Sequence, residues 1–161
     1  MRNTPFYLLK MEHQMKKTNI LLAALLSLAA FSAQASVANA EKLVLIYNTQ
    51  AKSANPEYAG PTAADGKFFF NRKIKLGNGK EMACASCHTT NPADNGKHVV
   101  TGKVIKPLSP TVNTKRFADF EKVEAKFTQH CTEIIGSDCT AAEKASYITY
   151  VLTEKTPTPK K

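Results

Sequence analysis

The sequence has no tryptophan and only four methionines, three of them within its first fifteen residues. It has eight phenylalanines and five tyrosines among 161 residues, so it has few large side chains with which to build an apolar centre of its own. Long apolar runs are also missing. The best is "ILLAALLSLAAF", the twelve residues from Ile20 to Phe31, which is too short to span a bilayer comfortably. No segment alternates apolar and polar residues for long, which argues against a sheet protein. Acidic residues are outnumbered, 13 against 22 basic. Yet the basic residues form no run longer than a pair, as at Arg72-Lys73 and Lys160-Lys161, and are not interleaved with aromatics, so a nucleic-acid binder is not indicated. No internal repeat is present.

What is present first is an export signal. Met15 is a better start than Met1: Lys16-Lys17 give a basic n-region, the Ile20–Phe31 run an apolar core, and "SAQAS" and "ANAE" cleavage sites after Ala35 or Ala40. The segment upstream of Met15 reads as a misassigned start, and no cysteine follows closely enough for a lipoprotein. The expectation is a periplasmic protein with no stable membrane insertion once residues 1–40 are removed. The remaining 121 of 161 residues carry 18 Lys and Arg against 12 Asp and Glu. This excess reads either as a solvated surface or as a docking face for an acidic redox partner.

The organisation expected from pattern is mainly α. Residues 41–61 read as an N-terminal extension, in which the run Leu43 to Tyr47 fits a strand or a helical turn equally well. A domain follows at 62–153. It has a first helix near 62–71, with Gly66 and Phe70 on one face. A second runs from Asp119 to Ile135 with Phe120, Val123, Phe127 and Ile134 at helical spacing, ending at Gly136. The third opens at Thr140 with the capping box "TAAE" and buries Ala145, Ile148, Val151 and Leu152. The tail 154–161, "EKTPTPKK", reads as disordered and basic. Between the first two helices lie roughly forty residues of loop-like sequence, more than a compact domain holds unless something organises them.

The organiser is indicated at "CASCH", Cys84 to His88. C-x-x-C-H is the attachment signature of haem c: two thiols add to the vinyl groups, and the next histidine is carried beneath the iron. An exported chain is where such attachment is made. The alternatives fit poorly. A thioredoxin-like dithiol sits at a helix start in a βαβ setting absent here. Zinc needs four ligands, and the adjacent Cys87 and His88 rarely bind one tetrahedral ion together. A disulfide across two residues would be strained.

On the far side of the iron, methionine is excluded by composition, because after the signal only Met82 remains, two residues from Cys84. His98 and His130 are the imidazoles left. His98 lies in the polar loop "ADNGKHVVTG" and reads as a solvated loop residue. His130 shares the helical face of Val123, Phe127 and Ile134 and is the candidate distal ligand, against a reading in which the distal position is open or weakly held. Cys131 and Cys139 most simply pair in an oxidising compartment, which would tie the backbone beside His130 to the start of the third helix. The other reading of that pair is a redox-active disulfide.

Several stretches together, "CASCHTTNP", "TGKVIKPLSP", "NTKRFADFEKVEAKFTQHC" and "GSDCTAAEK", resemble the small c-type cytochromes of the sphaeroides haem protein type, from about Gly66 to Leu152. The resemblance implies a class I cytochrome c-like fold, with a few helices and long loops wrapped around one covalent haem. Its terminal helices would cross at a glycine–aromatic contact drawn from Gly66, Phe70 and Tyr150. It further implies a distal asparagine just before the first cysteine of a disulfide, leaving on reduction so that small gases bind. Here that residue is His130, a stronger ligand. The resulting expectation is a monomeric, bis-histidine one-electron carrier (His88 and His130). The alternative is a haem protein or minor reductase binding O₂, NO or CO when the distal ligand is displaced. Phe70, Val123 and Phe127 are expected in the haem pocket, with the Pro107 carbonyl accepting from His88 and Lys103, Lys106 and Arg116 near the propionates. The implied partners are other redox proteins, among them a dihaem cytochrome c and a membrane cytochrome b.

Overall fold

The computed structural model describes residues 34–159. The proposed start at Met15, the basic n-region and the apolar run lie outside the described residues.

Helix α1 occupies residues 34–54. Ala40, Leu43, Tyr47 and Ala51 recur at intervals of three or four and all are buried, while Leu45 and Ile46 on the other side are exposed. The helix stops just before Pro56, which disfavours helical backbone at Asn55. The run Leu43 to Tyr47 is thus the middle of a helix, and its Leu43 and Tyr47 share a core with Phe70, Ile148 and Val151. Residues 41–61 are therefore part of the domain rather than an extension to it. A short run with apolar residues on both sides hides its period, which appears only when Ala40 and Ala51 are counted.

Helix α2, Ala63–Asn71, starts where Thr62 accepts from the Asp65 N–H. It packs against α5, Ala141–Thr153. They meet at Gly66, which lies against the backbone of Ser146 and the Cβ of Tyr150. Phe70 continues the contact, its ring 5.7 Å from Tyr150 and 6.0 Å from Tyr147. Helix α4, Phe120–Ile135, is capped by Asp119 at one end and by Gly136 at the other. There φ is +88° and the Gly136 N–H reaches the carbonyls of Cys131 and Thr132. In α5 the Thr140–Glu143 capping box is formed in both directions.

The long loop is organised by small ladders rather than by helices. Strands β1 (Ile74–Lys75) and β2 (Glu81–Met82) pair antiparallel, as do β3 (Gly96–Lys97) and β4 (Val104–Ile105). Helix α3, the single turn Ala85–His88, lies between them. The tail is also placed, contrary to its reading as disordered. The Asn91 side-chain N–H donates to Thr156 O and Thr158 Oγ1, and both the N–H and the hydroxyl of Thr158 donate to Asp94 at 2.7 Å. Composition suggests disorder for such a tail, but it does not foresee two side chains, the donor Asn91 and the acceptor Asp94, waiting in a loop more than sixty residues away. Among the described residues no helix is long and apolar enough to cross a membrane.

Candidate haem site

The site begins with one helical turn. Cys84 caps α3, and its carbonyl accepts from the N–H groups of Cys87 and His88, so both thiols and the imidazole issue from a single turn. Ser86 Oγ accepts from the Ala83 N–H and closes the start. The turn ends abruptly at Thr89, with φ +62°, the one non-glycine residue among those described in that region. Such a conformation costs about 1–3 kcal/mol and persists only where neighbours hold it. Here the Thr89 hydroxyl donates to Asn91 O. Gly96 presses on the other side, where a Cβ would meet Cys87 O at 2.2 Å and His88 Cα at 3.0 Å.

Cys84 and Cys87 are not joined to another cysteine, which leaves both sulfurs for attachment of a haem. Burial pushes the Cys84 thiol up to about 11. Burial, helped by the positive charges of Arg116 and His130, pushes the His88 imidazole down to about 4. His88 is consequently a neutral base at neutral pH, the form that binds a metal.

Above the turn stands an apolar wall. Cys84 and Ala85 pack with Val123, Phe127, Tyr147 and Leu152 against the core that contains Phe70 and Leu108. Phe127 and Tyr147 meet edge to face at 5.2 Å, and Phe127 meets Tyr47 likewise at 6.0 Å. Tyr147 is a pocket residue that the sequence reading missed. Burial raises its hydroxyl pKa, against the smaller opposite pull of the Arg116 charge. Its spacing, four residues before Val151, was the available signal.

The other expected site residues are distributed as follows. His130 lies on α4 one residue before Cys131, which is joined to Cys139 with the Cα atoms 5.6 Å apart. Its side chain flanks the buried stripe rather than lying in it: it is half exposed, with Nδ1 3.4 Å from Glu133 Oε2. The Pro107 carbonyl accepts from the Asn113 side chain at 2.9 Å, and among the described residues the His88 ring has no hydrogen-bond partner. His98 is used within its own loop, its Nδ1 accepting from the N–H groups of Val100 and Thr101. Lys103 and Lys106 are exposed, whereas Arg116 is half-buried.

This donor set suits haem better than a bare ion. No group of three or more His, Cys, Asp or Glu among the described residues surrounds a common metal position. A haem brings four nitrogens of its own and asks the protein for two thiols, one neutral imidazole and an apolar wall, all of which are present around α3.

The family profile described as "Domain of unknown function (DUF1924)" matches residues 56–151. Cytochrome c'' of Methylophilus methylotrophus is 56% identical over 142 residues, which is 88% of this chain and 99% of that one. The cytochrome c-type protein SHP of Cereibacter sphaeroides is 33% identical over 101 residues, 61% of this chain and 78% of that one. The crystal structure of oxidised cytochrome c'' superposes with a TM-score of 0.73 at 61% identity, covering 76% of this chain and 99% of that one. Oxidised SHP, described as an oxygen-binding cytochrome c, gives 0.61 at 28% identity, covering 71% and 96%. The chain belongs to the DUF1924 family, among the small helical c-type cytochromes that include cytochrome c'' and SHP, and its cofactor is a covalent haem c.

Proposed function

We propose that this protein is a periplasmic one-electron carrier whose haem is bound through Cys84 and Cys87 and whose iron is held by His88 and His130. The haem supplies an iron that passes between the ferric and ferrous states, and the protein's own residues decide how. Cys84 and Cys87 fix the ring to α3, and His88, kept neutral by burial, offers its lone pair in either state. Met82, the one methionine among the described residues, is confined to the strand just before Cys84, so no thioether among them reaches the far side of the iron to favour the ferrous state, and the potential is low. The observation that carries the proposal is the position of His130, next to a half-cystine that joins the end of α4 to the start of α5. The backbone at this position is thereby restrained.

A second reading has its own support. His130 is half exposed and has Glu133 as an alternative partner. Haem-ligand detachment is described for cytochrome c'' in solution, and SHP is described as oxygen binding. In this reading His130 leaves on reduction and a small gas takes its place. Absorption spectra of the ferric and dithionite-reduced protein, before and after CO, separate the two. A low-spin spectrum indifferent to CO supports the fixed carrier, and a CO adduct formed only after reduction supports displacement. His130→Ala gives high-spin ferric iron under either reading. An unchanged low-spin spectrum in that variant would remove His130 from the site.

A further inference from the structure

The β3–β4 hairpin has a composition that neither folding nor haem attachment requires. Val99 and Val100 at its turn and Val104 on β4 are 52%, 84% and 73% exposed. Single exposed apolar residues are ordinary, but three within one short hairpin are not. From Asn95 to Lys106 the sequence holds three lysines, Lys97, Lys103 and Lys106, and no acidic residue. All three are exposed, and none makes an ion pair among the described residues. The acid before them, Asp94, is occupied by Thr158.

The tip is rigid. The His98 N–H donates to Lys103 O and the Gly102 N–H to His98 O, both at 2.9 Å, and His98 Nδ1 accepts from Val100 and Thr101. Gly102 takes φ +69° to close the turn. The valines are therefore held out to solvent by four hydrogen bonds, so little ordering entropy remains to be lost on binding. The base of the hairpin is Gly96, in direct contact with Cys87 O and His88 Cα. A partner seated on the tip is separated from the haem-bearing turn by the hairpin alone.

We infer that the β3–β4 hairpin, with its exposed Val99, Val100 and Val104 and its exposed Lys97, Lys103 and Lys106, is the docking surface for an acidic redox protein whose contact face has a small apolar centre. The inference rests on the electron-carrier reading. Charge complementarity names the sign of the partner, and the valines name its centre. A single-stranded nucleic acid fits less well, because its sites stack bases on aromatic rings and residues 95–106 contain none.

The test uses the purified holoprotein on gold electrodes coated with carboxylate-terminated thiols, alone or mixed with methyl-terminated ones, as mimics of the partner face. The triple variant K97E/K103E/K106E is compared with K42E/K52E/K67E, an equal change of charge at exposed lysines elsewhere. Solution potentiometry with small mediators is run on every sample. The hairpin triple should lose at least about tenfold in interfacial electron-transfer rate at low salt, and the control triple far less. V100S/V104S should slow exchange on the mixed surface and leave the carboxylate surface unchanged. Equal losses in the two triples would mean that net charge alone matters, and would overturn the site. So would loss of binding to anionic phospholipid vesicles in the hairpin triple with electrode exchange intact, since that marks a lipid surface. No reversible couple in solution would sink the electron-carrier reading itself. A normal couple with no hairpin effect would sink only the docking surface.

Discussion

Where α2 meets α5, a Cβ added to Gly66 would lie 1.9 Å from the Ser146 carbonyl oxygen and 2.7 Å from Tyr150 Cβ. Alanine in a helix gains about 1 kcal/mol over glycine, but the obstacle here is backbone that has no rotamer to change. Overpacking of this kind costs about 1–3 kcal/mol or more, so the overlap wins. Gly66→Ala should lower stability by about 2 kcal/mol in urea unfolding followed by circular dichroism. Gly77→Ala, with nothing within 4 Å, should leave the midpoint where it is.

Lys144 is buried in α5, and its Nζ lies 2.5 Å from Glu124 Oε1 and 3.2 Å from Asp138 Oδ2, above the rings of Tyr47 and Phe127. Tyr47 completes the network by donating its hydroxyl to Glu124. The partners are unequally exposed: the lysine side chain is 6% accessible and the two carboxylates 36% and 48%. Removing the cation leaves acids that water can reach, whereas neutralising Glu124 leaves a buried ammonium with one carboxylate partner, Asp138. Glu124→Gln should therefore cost more, about 3 kcal/mol, than Lys144→Met, about 1 kcal/mol. Equal losses in chemical unfolding would contradict this asymmetry.

The same network predicts an acid limb. Burial raises the Asp138 carboxyl, but the Lys144 ammonium and the Cys139 N–H more than offset this and hold it below its ordinary 3.8. A depressed carboxylate contributes fully above its unfolded value, and the contribution is lost as pH falls through the folded one. Asp138→Asn should be less stable than the parent at pH 7, and the two should converge below about pH 3. A gap that stays constant from pH 7 to pH 3 would mean that the charge contributes nothing.

How much of this was legible in the sequence depended on whether the signal was local. The caps at Asp119, Thr140 and Gly136, the stripe of α5 and the Cys84–His88 motif are contained within a few residues each, and each reads directly. Lys144 was legible too, being four before Ile148 and seven before Val151, on the buried face. A lysine there needs a partner, but nothing nearby in the chain names Glu124. Tyr147 was overlooked because a residue at the edge of a stripe takes its role from the neighbouring helix. The docked tail was not legible, and the core face of α1 only by counting Ala40 and Ala51 with Leu43 and Tyr47. Each depends on a complementary surface elsewhere, the first at Asn91 and Asp94, the second at Phe70 and Val151.

On the proposed export of this chain, the burial of α1 bears on where its mature form begins. Cleavage after Ala35 and after Ala40 fit the leader pattern equally well, but they differ by the five residues Ser36 to Ala40. Ala40 is fully buried in the main core and Ser36 is 2% exposed, whereas Ala35 is exposed. A cut after Ala40 would remove a core residue and the helical turn that supports Leu43, leaving Glu41 as a charged terminus two residues from the core. A cut after Ala35 keeps every buried residue of the helix from Ser36 onward. The mature protein should therefore start at Ser36, as read by intact mass or N-terminal sequencing of the periplasmic form. A start at Glu41 would show that the first turn of α1 is dispensable. In that case, removing residues 36–40 from a chain beginning at Ser36 should leave thermal stability unchanged, rather than lower it by the 1 kcal/mol or more that losing a buried alanine and a helical turn implies.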